Sequence, residues 1–150
     1  MPKAAYLIGH GNMKAAEFVG LLNEMKVDLL VDVRSVPFSR YVPEFNEGSI
    51  RGFLAKDDIE YVHMGNVLGG RRNPEWFAKY LNSEEFTRGM ALLRRAINGR
   101  RAAIMCSEID YGRCHRRFIG LRLADEGFTV EDISRKGIVQ RIGQRTLVNF

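Results

Sequence analysis

Only two cysteines occur in the 150 residues, Cys106 and Cys114. Two thiols cannot build the disulfide framework of a small secreted domain. Their C-x7-C separation also misses the common zinc-finger spacings, so reduced thiols and no metal ligand set are predicted. No apolar run approaches the ~18–20 residues of a membrane span, and no membrane partner is expected. The amino-terminal run from Met1 to Ile8 lacks the long apolar core and small-residue cleavage site of a secretory signal. A cytoplasmic protein is therefore expected. Neither G-x4-G-K-[ST] nor G-x-G-x-x-G is present, which excludes the P-loop and dinucleotide fingerprints. Internal repeats, low-complexity stretches and linkers are also missing. A single domain spanning residues 1–150 is the economical reading.

Lysine is scarce as well: six lysines stand against seventeen arginines, with a net charge of +5. Arginine presents a planar fork suited to phosphate and carboxylate, whereas lysine is a hydrated point charge. The cations cluster at Arg94/Arg95 with Arg100/Arg101, at Arg113/Arg116/Arg117/Arg122, and in a tail with no acid after Asp132. An anionic partner, either a small molecule or nucleic acid, is one reading of this balance. Genomic base bias toward arginine is the other.

What is present alternates between strands and helices. Ala4–Ile8 is a short apolar run stopped by Gly9-His10-Gly11. Phe18, Leu21, Leu22 and Met25 recur at helical spacing within residues 14–25. Leu29–Val33 has the near-continuous apolar content of a strand buried on both faces. Residues 34–46, with Pro37 and Pro43, form a long loop of the kind that often carries function. Ser49 is placed to cap a short helix through Lys56, and Ile59–His63 reads as a third strand. A second loop covers residues 65–73, followed by a helix opened by Pro74. Ser83 opens the next helix, with Phe86, Met90, Leu93 and Ile97 as its buried stripe and Gly99 as its stop. Arg101–Cys106 is a fourth strand, Cys114–Glu126 a helix stopped by Gly127, and Phe128–Ile133 a fifth strand. The remainder is expected to add an edge strand or a hairpin around Gly143.

Such alternation predicts the α/β class: a three-layer sandwich with a mainly parallel central sheet of about five strands and helices on both faces. In such sheets ligands bind outside the carboxyl ends of the strands. His10 follows the first strand, while Asp32, Arg34 and Ser35 lie at the end of the second. After the third come His63 and Gly69-Gly70-Arg71-Arg72, and after the fourth Cys106, Ser107 and Glu108. One sheet edge collects the reactive residues.

The densest stretch runs from Cys106 to Arg117. Glu108 and His115 form an acid/base pair, and Arg116 beside them can hold an anion at a helix start. Equally, His115 and Arg116 can serve only to satisfy the Glu108 and Asp110 carboxylates. Asp32 can orient an arginine or accept a substrate hydroxyl while Arg34 holds an anion, or the two can pair internally and pin the loop that follows. Gly69 and Gly70 let backbone amides approach a phosphate, with Arg71 closing over it, or the segment is a flexible basic loop. Cys106 or Cys114 can supply a thiolate activated by a helix terminus and nearby cations, line the pocket, or act as small buried hydrophobes. The strand–loop–helix context is similar to that of rhodaneses and cysteine phosphatases. Starting at Cys106, however, the arginine of a C-x5-R motif would fall at position 112, which is Gly112.

An ordered set of motifs covers most of the chain. It runs through Ile8-Gly9-His10, Leu30-Val31-Asp32-Val33-Arg34-Ser35-Val36-Pro37 with Ser39-Arg40, Phe45-Asn46 and Leu68-Gly69-Gly70. It continues through Tyr80, Glu85-Phe86, Met105-Cys106-Ser107-Glu108 and Cys114-His115-Arg116-Arg117. This set resembles the domain of unknown function 488 family. The resemblance implies a compact α/β protein whose polar residues form a shared site, adds Asn46 to the candidates, and supplies no reaction.

The expectation is an enzyme acting on a phosphorylated or nucleotide-like substrate. Glu108 and His115 serve as acid/base groups with Asp32 orienting. His10, Arg34, Ser35, Gly69, Gly70, Arg71 and Arg116 make the binding surface. The alternatives are a non-catalytic nucleic-acid-binding module associated with repair, and a cysteine-thiol or metal-dependent enzyme. No cofactor is named by the sequence.

Overall fold

The apolar runs become strands of one sheet in the computed structural model, which describes residues 3–69, 79–108, 116–134, 137 and 139–142. The strands are β1 (Ala4–Gly9), β2 (Leu29–Asp32), β3 (Glu60–His63), β4 (Ala102–Cys106), β5 (Thr129–Ile133) and β6 (Val139–Ile142). Their order across the sheet is β3-β2-β4-β1-β5-β6. The first five pair in parallel, and β6 runs antiparallel to β5 as an edge. The α-helices described are α1 (Ala15–Glu24), α2 (Glu47–Ala55), α3 (Gly65–Leu68), α4 (Glu84–Ile97) and α5 (Arg116–Asp125), with a 3-10 turn at Pro43–Phe45.

The helices divide between the two faces, which makes three layers. Phe18 and Leu22 of α1 and Ile50 and Leu54 of α2 are buried against Ile8, Leu30 and Met105 on one face. Phe86, Met90, Leu93 and Ile97 of α4 and Ile119 and Leu123 of α5 are buried against Leu7, Val31 and Ile104 on the other. Successive residues of a strand point to opposite faces, so continuous runs such as Leu29-Leu30-Val31 feed both cores at once. All four residues of β2 are buried.

This division sets where the sheet edge opens. The chain leaves β1 and β2 for α1 and α2 on one face, but leaves β3 and β4 for α4 and α5 on the opposite face. Neighbouring strands β2 and β3, and likewise β4 with β2 and β1, therefore send their carboxyl-end connections apart. Crevices form at such divergences.

Several local expectations are refined. The second helix starts at Glu47 with Asn46 at its N-cap, so Ser49 lies inside it and is not the cap. The segment after β3, read as loop, opens with the helical turn α3, where Leu68 N–H donates to the Met64 carbonyl at 2.9 Å. Burial of Leu68 in the α4-side core outweighs the loop signal of the surrounding glycines. The Ser83 cap is in place: its hydroxyl accepts from Phe86 N–H at 3.1 Å. Helices α4 and α5 stop before Gly99 (φ 73°) and Gly127 (φ 96°). The edge strand β6 exists, but Gly137 at φ 82° lies in the segment that precedes it, and Gly143 falls outside the described residues. The helix expected after Pro74 also falls mainly outside them. No helix among the described residues is long and apolar enough to cross a membrane.

Candidate functional site at the carboxyl edge of the sheet

Asp32 ends β2 and is fully buried. A carboxylate there must have every lone pair engaged, because an unpaired buried charge is costly. Four donors reach it. Its Oδ1 accepts from Arg34 N–H at 3.0 Å and Arg34 Nε at 2.9 Å. Its Oδ2 accepts from Arg34 Nη2 at 2.7 Å and the Tyr61 hydroxyl at 2.5 Å. Tyr61 comes from β3, opposite Leu30 in the parallel register. Burial first, and the Asp32 carboxylate second, raise the Tyr61 hydroxyl well above its ordinary value. It stays protonated and donating.

Arg34 carries this pairing into the loop. Besides the fork on Asp32, its Nη2 donates to the Phe45 carbonyl at 2.7 Å, and its Nη1 lies 3.3 Å from His10 Nε2. Its own carbonyl lies 2.7 Å from His63 Nε2. Arg34 is only 7% exposed, so its guanidinium is occupied by the protein and fixes the loop.

His10 stands at the end of β1, buried, with its ring stacked on Phe45 at 4.4 Å and 5°. Its Nδ1 lies 2.7 Å from the Gly11 carbonyl, an acceptor, so Nδ1 carries the proton. The bare Nε2 then accepts from Arg34. Burial chiefly, and Arg34 in addition, push its pKa from 6.5 down to about 4, against the opposing Gly11 hydrogen bond and Asp32 charge. His10 is a neutral imidazole at neutral pH. Phe45 is fully buried and also meets Phe18 and Phe53 edge-on at 5.0 and 5.8 Å.

Asn46, next in the chain, accepts from Ser39 N–H at 2.7 Å through its side-chain oxygen. The Pro37 carbonyl accepts from Glu47 N–H at 2.9 Å. The loop of residues 34–46 is thus tied at both ends and across its middle, while Val36, Phe38 and Tyr41 project outward at 49%, 65% and 87% exposure.

A second charge pair supports the end of β4. Arg116, fully buried at the start of α5, donates from Nε to Asp132 Oδ1 at 2.8 Å and from Nη2 to Oδ2 at 3.2 Å. Its Nη1 reaches the Glu108 carbonyl and lies 3.1 Å from Cys106 Sγ. Burial raises the Asp132 pKa, opposed by Arg116. Asp132 is thus an acid partner of Arg116 among the described residues, and Glu108 meets Arg116 through its backbone carbonyl. The Glu108 side chain is exposed. Cys106, 2% exposed, is disulfide-bonded, which corrects the expected reduced thiol and leaves it no thiolate in this form.

A cavity of about 530 Å³ opens at the β2/β3 divergence, within the range of roughly 300–1,000 Å³ usual for small-molecule sites. Ser35 and Val36 line it from the loop after β2, Gly65, Asn66 and Gly69 from α3 and its end, and Tyr80 with Glu85, Arg88 and Leu92 from the α4 side. Backbone packing is tight beneath it. A Cβ on Gly65 would overlap the Arg34 carbonyl, and one on Gly69 would overlap the Ser35 hydroxyl.

His10, Asp32, Arg34, Cys106 and Arg116 therefore lie at one sheet edge, with Ser35 and Gly69 in the adjoining cavity. Asn46 supports the loop without lining that cavity. Gly70, Arg71, Cys114 and His115 lie outside the described residues. Among the described residues no group of three or more His, Cys, Asp or Glu side chains is placed to hold a metal ion. Sequence reasoning missed Tyr61, Asp132 and the helix face of Glu85, Arg88 and Leu92. Only the last carried a signal: spacings of three and four beside the buried stripe of α4.

Fold and site together define an α/β protein with a mainly parallel sheet and a polar, loop-anchored cleft at the carboxyl ends of its parallel strands. The family model described as "Domain of unknown function DUF488" matches residues 14–123. The chain belongs to that family. No curated protein matches it.

Proposed function

We propose that the protein is an enzyme acting on a phosphorylated or nucleotide-like small molecule at the carboxyl-edge cleft. The observation that carries this reading is the cavity of about 530 Å³ beside the buried Asp32–Arg34–His10 cluster. Buried charges are costly, and their concentration beside a cleft is characteristic of functional sites. Asp32, Arg34, His10 and Asn46 act as positioning residues that hold the loop carrying Ser35 and Val36. Glu108, exposed just past β4, and His115 remain the acid/base candidates. The arginine-rich composition favours an anionic substrate.

The test is calorimetric titration with a panel of nucleoside phosphates and sugar phosphates, followed by product detection by mass spectrometry. Binding and conversion are expected, with turnover lost in folded Glu108→Ala or His115→Ala protein. Wild-type turnover in both variants would remove the acid/base assignment. Absence of binding across the panel would remove the substrate reading.

A second reading rests on a different observation. Phe38 and Tyr41 stand exposed on a loop that is pinned by hydrogen bonds, as base-stacking aromatics do in single-stranded nucleic-acid binders. That reading requires affinity that falls steeply with salt and is weakened in Tyr41→Ala. Salt-insensitive binding of a single nucleotide would exclude it.

A further inference from the structure

We propose that the cleft is a base slot: it takes the nucleobase of the substrate, while the phosphate lies outside the part that the described residues form. This rests on the nucleotide-like reading above and names which half of the ligand the cavity recognises.

The chemistry of the lining carries the inference. Val67 lines the cavity as a partly buried aliphatic residue, and two more, Val36 and Leu92, stand open to solvent at 49% and 44%. They come from different elements, the loop after β2 and helix α4, so aliphatic surface reaches the cavity from two directions. Exposed aliphatic surface bordering a cavity gains from covering the faces of a flat ring. The Tyr80 ring also lines the cavity, and its hydroxyl donates to the Val67 carbonyl, which holds the ring in place. Tyr80 further stacks edge-on against the buried Phe86 at 5.4 Å.

The polar groups suit the rim of a heterocycle better than a phosphate. Ser35 offers a hydroxyl, Asn66 an amide that donates and accepts, and Glu85 a carboxylate that only accepts when ionised. Ring and exocyclic N–H groups of a base are donors that such acceptors read. A phosphate in the same space would meet the Glu85 charge, against one lining cation among the described residues, Arg88. That arginine is 69% exposed and lies 3.9 Å from Glu84. The walls are also held in place. Gly89 packs α4 so closely on α3 that an added Cβ would meet Leu68 and Val67 at 3.0 Å.

The experiment uses the full chain and measures binding of adenosine, guanosine, cytidine and uridine beside ribose 5-phosphate and inorganic pyrophosphate. At least one nucleoside is expected to bind without any phosphate. Leu92→Ser is expected to weaken that nucleoside about tenfold by removing aliphatic contact, and to leave ribose 5-phosphate unchanged. Val36→Ser provides an independent second variant, and thermal melting checks that both are folded. Binding of ribose 5-phosphate or pyrophosphate with no nucleoside bound would overturn the base slot and leave the phosphorylated-substrate reading standing. Nucleoside binding unaltered in both folded variants would also overturn it. No binding by any of the compounds would overturn both readings.

Discussion

Acidification should loosen the anchor of the 34–46 loop through one residue, His10. Folded, His10 is buried against Phe45 with a proton on Nδ1 and Arg34 facing Nε2. A second proton would have to sit on Nε2, facing the guanidinium. Burial and that neighbour lower its pKa from 6.5 to about 4. Between these values the unfolded chain binds more protons than the folded one, so stability is fully present above pH 6.5 and falls as pH drops toward 4. The whole window corresponds to about 3 kcal/mol, of which about 2 kcal/mol is lost by pH 5. Urea unfolding followed by circular dichroism at pH 8, 7, 6 and 5 measures it, for the wild type and for His10→Gln. The variant is expected to be less stable at pH 8 and to show a flatter profile below pH 6.5. Parallel profiles for the two proteins would refute a buried neutral imidazole.

Three further outcomes follow from packing. Asp32→Ala strands the Arg34 guanidinium inside the protein and is expected to cost about 3–5 kcal/mol in urea unfolding; a loss below about 1 kcal/mol would mean that Arg34 finds water on its own. Gly65→Ala drives a Cβ into the Arg34 carbonyl, a backbone group that cannot rotate away. It is expected to cost about 3 kcal/mol or more, and a wild-type melting temperature would contradict the close approach. Ser83→Ala removes the cap on Phe86 N–H and is expected to cost about 1 kcal/mol, read as a lower thermal midpoint with nucleotide binding retained.

Strand and helix placement was legible because periodicity reports burial directly. Phe86, Met90, Leu93 and Ile97 announce both α4 and the face it buries. The partners within the site were not legible, because they are made across the sheet. Nothing near Asp32 in sequence indicates Tyr61, which arrives only through the parallel β2–β3 register. Likewise Arg116 meets Asp132, sixteen residues away on β5, a partner that nothing near Arg116 in sequence indicates. The two readings of Asp32 and Arg34, internal pair or substrate group, could not be separated without the distances that show Arg34 engaged by the protein. The α3 turn went unread because Gly65 and Gly69 signal a loop, whereas here they permit close backbone packing.

The cleft at the β2/β3 divergence is the proposed place of ligand binding. Titrating the isotopically labelled protein with a nucleoside monophosphate and following backbone amide chemical shifts tests it most directly. Ser35, Asn66 and Gly69 are expected to shift first and saturate together. Shifts confined to Arg100 and Arg101, at the amino end of β4, would contradict it.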